Sequence, residues 1–487
     1  MGHLSELQPS AIWVYFEEIC NIPRTSRNEG KIRKYLLDFA AKNNLESKED
    51  TVGNILITRP PFPGMEKVKT VVLQSHMDMV GEKNADHPHN WKTDPIKPLI
   101  IEDWVTASGT TLGADDGIGI AAQMAILTEK DLRTGKIECL FTVDEESGMT
   151  GATNLKPDFF TGRTLLNLDS EDEGILYIGC AGGMDTIGTM SYRQVPVRSN
   201  CCALELSVTG LRGGHSGDEI HKGLGNAVKI MNSLLMRLSS EFEINLSHLN
   251  AGNLRNAIAR EAFAIIVADA TSFEAIGKSV NDFLRIQAAE FGEKEKEIRI
   301  SVASAEMPEY TMDKESLSML INALECCPHG VISWSKEMSD LVETSTNLAS
   351  AKTTDNNSVT IITTQRSSVE AAKHEASSKV VRCLNKAKAE IKHSDGYPGW
   401  KPDLSSEILG ITKDSYKNLF GREPLVRAIH AGLECGLIHE TFKGIDMISF
   451  GPTIRGAHTP EEKIDIASTQ LFWTLLTDVI LRMPSKE

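Results

Sequence analysis

Residues 70–78 read Thr70-Val71-Val72-Leu73-Gln74-Ser75-His76-Met77-Asp78, an apolar, β-branched run that passes without a break into a histidine and a carboxylate two positions apart. Such a run predicts a strand, and residues two apart on a strand point to one side, so the His76 imidazole and the Asp78 carboxylate can touch. Similar short runs stand at Ile55 to Thr58, Cys139 to Val143 and Leu165 to Leu168, and helical spacing of apolar residues from Ile118 to Leu127 lies between two of them. Strands alternating with helices imply an α/β sheet. Upstream, Ile12, Tyr15, Phe16 and Ile19, then Ile32, Tyr35, Leu36 and Phe39, predict two opening helices separated by Pro23 and by Asn28 to Gly30. The chain ends in the same style, with a strand from Asp446 to Phe450, a loop, and a helix from about Ile466 to Leu481. The two ends are therefore expected to form one domain.

Between them, residues 190–398 follow a looser strand, helix, strand order: Ala203 to Val208, Ala227 to Leu238, Ala262 to Val267 and Phe273 to Ala289, with a similar order from Tyr310 to Lys392. This predicts an inserted α+β domain of two related halves, and the charged stretch Glu290 to Arg299 reads as a solvated helix end or turn. The expected division is a catalytic domain from 1–188 and 399–487 around an insertion at 189–398.

With 487 residues, 41% hydrophobic and 24% charged, the chain has material for a sizeable core and none of the balance of a disordered one. A formal net charge of −16 repels phosphate backbones and anionic lipid, so neither nucleic acid nor membrane is an expected partner. No run approaches the roughly 18 apolar residues of a spanning helix. The first 21 residues carry Glu6, Glu17 and Glu18 and no basic segment, unlike a secretory signal, and Glu6 also breaks a myristoylation pattern. Nine cysteines without a Cys-x-x-Cys, two pairs of them adjacent (Cys201-Cys202 and Cys326-Cys327), fit reduced thiols in a cytoplasmic protein, buried as small hydrophobes.

The chemistry collects at strand ends. His76-Met77-Asp78 follows one strand, and Gly113-Ala114-Asp115-Asp116-Gly117 precedes a helix, where an aspartate could equally be a cap. Asp144-Glu145-Glu146-Ser147-Gly148 ends the next strand, and Asp169 ends a third. Carboxyl ends of strands are where an α/β sheet presents its site, and so many carboxylates in one cleft need a cation. If His76, Asp115, Glu146, Asp169 and His458 are ligands, two imidazoles and three carboxylates bring three negative charges against the four positive charges of two divalent ions. That balance leaves room for a shared hydroxide, and imidazole with carboxylate suits Zn²⁺, with Co²⁺ or Mn²⁺ as substitutes. Glu145 and Glu146, as strand neighbours, should face opposite ways and divide ligand and proton-transfer roles; spacing does not say which is which.

In order and spacing these motifs, with Gly451 to His458, resemble the co-catalytic zinc peptidases that include carboxypeptidase G, the aminoacylases and tripeptide aminopeptidase. Gly109 to Gly113, Gly179 to Gly183, Gly213 to Gly217, Tyr397 to Trp400 and His430 to Gly436 are similar to the aminoacyl-histidine (Xaa-His) dipeptidase branch, which includes carnosine among its substrates. The resemblance implies a mixed-sheet di-zinc catalytic domain with an inserted lid and dimerisation domain, two Zn²⁺ per subunit, and a homodimer through the lid. It makes Asp115 the bridge between the ions, gives His76 and Asp169 to one and Glu146 and His458 to the other, makes Glu145 the general base, and has Asp78 orient His76. It also implies a cis peptide after Asp115.

In the inserted domain His215 resembles a lid histidine that hydrogen-bonds the tetrahedral oxyanion, and Arg366, after a strand from Ser358 to Thr363, resembles an arginine that grips the substrate carboxylate. Asn256 resembles a substrate-site asparagine, although Ala259 stands where the family has proline. His221, His430 and Glu434 fall in branch-like motifs near the pocket, without an assigned role. The expected function is hydrolysis of Xaa-His dipeptides. An N-acyl-amino-acid amidase with the same two ions, and a metal-stabilised binding protein without catalysis, are the alternatives; an intact Glu145 speaks against the last.

Overall fold

The computed structural model describes residues 3–486. They divide into two compact units, one of residues 3–180, 400–428 and 433–486, the other of residues 181–399 and 429–432.

The first unit is built on an eight-stranded mixed sheet in the order Glu46–Glu49, Ile55–Arg59, Ile137–Thr142, Val71–His76, Thr164–Asn167, Asp446–Ser449, Ile175–Cys180, Leu425–Ile429. Val71–His76 runs parallel to both of its neighbours, and Asp446–Ser449 parallel to Thr164–Asn167. Every residue of Val71–His76, Ile137–Thr142 and Thr164–Asn167 is buried, which explains their continuous apolar reading: parallel strands covered on both faces do not alternate. The opening helices Ser10–Cys20 and Gly30–Lys42 turn Ile12, Trp13, Phe16 and Ile19, then Ile32, Leu36 and Phe39, into the core. Helix Ala114–Thr128 is buried along almost its whole length. A four-stranded sheet in the order Ile454–Arg455, Lys463–Asp465, Trp104–Ala107, Pro98–Ile101 completes the unit, and helix Ile466–Leu481 follows from it with Asp465 capping the Ser468 amide.

The second unit is a nine-stranded antiparallel sheet with helices. Its order is Arg299–Ser304, Cys201–Thr209, Ala262–Asp269, Ile244–Gly252, Val342–Thr354, Ser358–Ser367, Gly182–Ser191, Glu390–His393, with Gly330–Trp334 also pairing on Val342–Thr354. The two expected halves share this one sheet, joined where Asn250, Ala251 and Gly252 pair with Lys352, Ala351 and Ser350. Helices Ala227–Glu241 and Lys314–Cys326 start at side-chain caps, Asn226 on Val228 and Lys229, and Asp313 on Glu315 and Ser316.

Four local expectations are corrected. Arg366 lies inside the strand Ser358–Ser367 and not after it, because the pairing with Gly182–Ser191 runs on to Ser367 opposite Gly182. Glu145 and Glu146 open a short helix, Glu145–Gly148, and are not strand neighbours; Asp144 turns the chain there with φ 53°. In the charged stretch Glu295 is buried, its carboxylate accepting the amides of Arg212 and Gly225. Cys326 and Cys383 form a disulfide, whereas the other seven cysteines are free.

His329 is half-buried with Nδ1 accepting from Asn226 Nδ2 (3.3 Å) and the Leu348 amide (3.4 Å), a geometry that needs a neutral ring, and desolvation pushes its pKa down to about 4. The unfolded chain takes up this proton near 6.5 and the folded chain does not, so the stability is present above 6.5 and lost as pH falls toward 4. The urea midpoint of the whole chain should fall across that window, and His329→Gln should flatten the fall.

Candidate metal centre

Three strand ends and two loops of the first unit bring the expected ligands together. His76 closes its strand with 1% exposure, and its Nε2 lies 3.0 Å from Asp115 Oδ1 and 3.2 Å from Asp169 Oδ1. On the other side His458 Nε2 lies 3.2 Å from Asp115 Oδ2 and 3.0 Å from Glu146 Oε2. Asp115 thus shares one oxygen with each of two imidazole–carboxylate pairs. Donor atoms of Asp115, Glu146 and His458 all fall within 4.8 Å of one another, as do those of His76, Asp116 and Asp169 and those of His76, Glu145 and Glu146. The Asp115–Asp116 peptide is cis.

Asp78 is buried at the centre of the supports. Its Oδ1 accepts the amide of Glu145 (3.0 Å) and its Oδ2 that of Glu146 (3.2 Å), while Oδ1 is 3.5 Å from His76 Nδ1, which also meets the Asp78 carbonyl at 3.2 Å. The expected contact between His76 and Asp78 is therefore present, and the same carboxylate also holds the turn that carries both glutamates. Burial would raise the Asp78 carboxyl, but hydrogen bonding and charge from His76, with the Glu145 amide, hold it at about 2. Asp144 fixes that turn from within by accepting the hydroxyls of Ser147 and Thr150.

Charge crowding sets the remaining acidities. Burial, with the neighbouring carboxylates of Asp115 and Glu146, raises Asp169 to about 6 against the pull of His76. Burial likewise raises Glu145 and Asp116, whereas Asp115 stays low because His458 and His76 outweigh its burial. Hydrogen bonds that the His458 ring donates to the carboxylates of Asp115 and Glu146 raise it to about 11. Glu146 Oε1 is buried without a hydrogen-bond partner. Oxygen and imidazole donors, no thiolate, and an orphaned buried carboxylate oxygen fit a pair of divalent ions such as Zn²⁺.

Residues to which the motifs assign no role support this cluster. Arg24, 2% exposed, donates to the carbonyls of Met77 (2.9 Å), Asp78 (2.6 Å) and Gly113. Gly113 has φ 71°, and a Cβ there would stand 2.7 Å from Arg24 Nη2, so glycine is required twice over. Glu434 is fully buried, accepting from Gln74 Nε2 and Thr142 Oγ1 at 2.6 Å each, and burial raises it to about 7. Glu462 accepts the backbone amides leading into Asp115. An arginine or glutamate pinned to backbone carries no spacing signal, so sequence patterns could not reveal Arg24 or Glu462.

The second unit holds the other expected residues. His215 pairs with Ala257 across a two-residue ladder, next to Asn256, whose carbonyl accepts the Ser216 amide at 2.8 Å. His215 Nδ1 stands 3.3 Å from the Gly217 amide, 3.2 Å from the Asp218 amide and 3.3 Å from Asp218 Oδ2. Arg366 is buried, donating from Nη1 to the Tyr397 hydroxyl at 2.7 Å, with Nε unpartnered. His430, also buried, meets Ser345 Oγ at 2.7 Å, and burial pushes its pKa down to about 3; Asp218, against its own burial, is held low by His215 and Arg366. A Cβ on Gly217 would stand 2.3 Å from the His430 carbonyl, which is why the His215 turn needs glycine there. His221 is exposed in a short 3-10 turn.

A family model described as "Peptidase family M20/M25/M40" matches residues 72–482, a span that contains all five expected ligands. The chain belongs to this peptidase family. This M20 peptidase is 40% identical over 486 residues to the cytosol non-specific dipeptidase of Escherichia coli (strain K12), covering 100% of both chains. It superposes on the aminoacylhistidine dipeptidase of Vibrio alginolyticus with a TM-score of 0.91 at 39% identity, covering 100% of this chain and 99% of that one. A tripeptidase from Staphylococcus aureus shares the fold at 17% identity and a TM-score of 0.57, covering 97% and 98% of the two chains. The two-domain mixed α/β architecture of the family is the one described above, and family membership implies a divalent metal.

Asp115 and Asp116 compete as the carboxylate at the centre. Asp115→Asn should lower the zinc bound per chain below that of the wild type, whereas Asp116→Asn, which imitates the neutral acid that burial favours, should leave it near wild type. Metal analysis after equilibrium dialysis decides, and the reverse order would give Asp116 the central place.

Proposed function

We propose that this M20 peptidase is a cytosolic dipeptidase that cleaves the peptide bond of Xaa-His dipeptides at a pair of zinc ions held by His76, Asp115, Glu146, Asp169 and His458. The observation that carries the reading is Asp115 offering Oδ1 to the His76–Asp169 side and Oδ2 to the His458–Glu146 side. The 40% identity with a dipeptidase over the whole chain supports the substrate size, and the likeness to an aminoacylhistidine dipeptidase supports the histidine at the second position.

Two zinc ions in this donor set would polarise the scissile carbonyl and acidify a shared water. Glu145 is the general base: burial raises its affinity for a proton, and the Asp78 bond to its amide holds it in place for taking a proton and passing it to the leaving amine. Asp78 orients His76. His215, its ring held at Nδ1 by the turn Gly217–Asp218, serves to hydrogen-bond the oxyanion. Arg366, its free Nε–H buried, serves to bind the substrate carboxylate, and Asn256 contributes beside His215. A homodimer through the inserted unit belongs to this reading, and sedimentation showing only monomer at micromolar concentration would remove it.

Zinc-loaded protein should hydrolyse carnosine and other Xaa-His dipeptides and leave N-acetyl amino acids largely intact. The opposite preference would favour the amidase alternative, and inactivity on both would leave the binding-protein alternative. Glu145→Gln should lower kcat by about 10²–10⁴-fold with zinc content unchanged. Arg366→Lys should raise KM far more than it lowers kcat, because a single ammonium replaces a two-pronged donor.

A further inference from the structure

The loop that carries His458 also carries Glu462, which is 2% exposed. Its Oε2 accepts the amides of Leu112 (2.7 Å) and Gly113 (2.9 Å), and its Oε1 those of Ala114 (2.7 Å) and Asp115 (3.3 Å). Four successive N–H groups facing one point form a concavity for an anion, and here the anion comes from another part of the same chain, 347 to 350 positions away. The carbonyl of Gly113, in the same turn, is taken by buried Arg24, which also holds the carbonyls of Met77 and Asp78. The turn into Asp115 is thus gripped through its amides by an anion and through a carbonyl by a cation.

At its own end Glu462 is equally fixed. Its amide donates to the Thr459 carbonyl at 3.1 Å, and the next residue starts the strand Lys463–Asp465, paired with Trp104–Ala107. Glu462 therefore ties the loop of His458 to the turn of Asp115, whose Nε2 and Oδ2 stand 3.2 Å apart in one donor triad with Glu146. The His76–Asp169 side uses the other Asp115 oxygen and has its own anchor in a buried strand end.

We propose that Glu462 is a positioning residue that sets the metal affinity of the Asp115–Glu146–His458 triad, by holding two of its three ligands at one separation. This rests on the two-ion reading above. Glu462→Gln puts an NH₂ group against two backbone N–H groups and forces the turn to move; Glu462→Asp keeps the charge but shortens its reach. Glu461, the exposed neighbour, serves as control.

The test is zinc titration of the full-length protein against a chromophoric chelator, with urea unfolding of the zinc-free proteins alongside. Wild type and Glu461→Gln should take up two ions. Glu462→Gln should keep one ion at wild-type affinity and bind the other about ten- to a hundredfold more weakly, with Glu462→Asp between. Two ions at wild-type affinity in Glu462→Gln would overturn the proposal. Equal weakening of both ions, or zinc lost only in proportion to folded protein, would overturn it as well, since a merely structural role gives those results. If Glu462→Gln does not fold, Glu462→Asp is read by the same criteria. Wild type taking up fewer than two ions would instead remove the two-ion reading, so the two failures are told apart.

Discussion

The repulsion among carboxylates delivered to neighbouring strand ends is the constraint on which the first unit depends. Parallel pairing puts His76 and Thr142 level, so the chain leaving each strand arrives at one edge, and Asp169 follows the next strand over. A cleft of this kind is stable only if each charge has a counterpart. Within the chain the counterparts are two imidazoles astride Asp115 and backbone amides on Asp78. The opposite shifts follow from this: Asp115 low between His76 and His458, and Asp169 and Glu145 raised where burial prevails.

The supports obey one rule. Asp78, Arg24 and Glu462 are buried polar groups that spend hydrogen bonds on backbone, Asp78 meeting the His76 ring as well. A bond to backbone fixes a turn whatever side chain the turn presents, and a buried partner cannot be lost without leaving an orphan at a cost of about 1–3 kcal/mol. The donor atoms are therefore placed by groups that are not themselves donors.

The inserted unit uses sheet interior in the same way. Around Arg366, hydroxyl and amide side chains answer one another: Thr186 donates to Gln365 Oε1 at 2.7 Å, Gln365 Nε2 to Thr363 Oγ1 at 2.8 Å, and Thr344 meets Ser367 at 2.9 Å. A guanidinium on such a strand is held more firmly than one on a loop. Thr364, Gln365, Arg366 and Ser367 are polar and do not read as strand, yet they are buried, because Thr364, Gln365 and Ser367 find side-chain partners inside the sheet and Arg366 reaches the Tyr397 hydroxyl.

Alternation of apolar runs, the glycines around the acidic motifs, and the chain positions of His76, Asp115, Glu146, Asp169 and His458 were legible in the sequence, because strand burial and sharp turns demand residue types that show in any linear reading. Convergence was not legible. Nothing local to His458 says that it will lie 3.2 Å from Asp115, nor that Glu145 and Glu146 will leave the strand for a helical turn. Still less does a glutamate at 462 announce four amides 347 to 350 positions upstream. The sequence alone determined which chemical groups the chain owns and the local conformations they favour; only the tertiary structure decided which groups meet, because long-range hydrogen bonds and shared burial depend on how distant segments pack and leave no periodic trace along the chain.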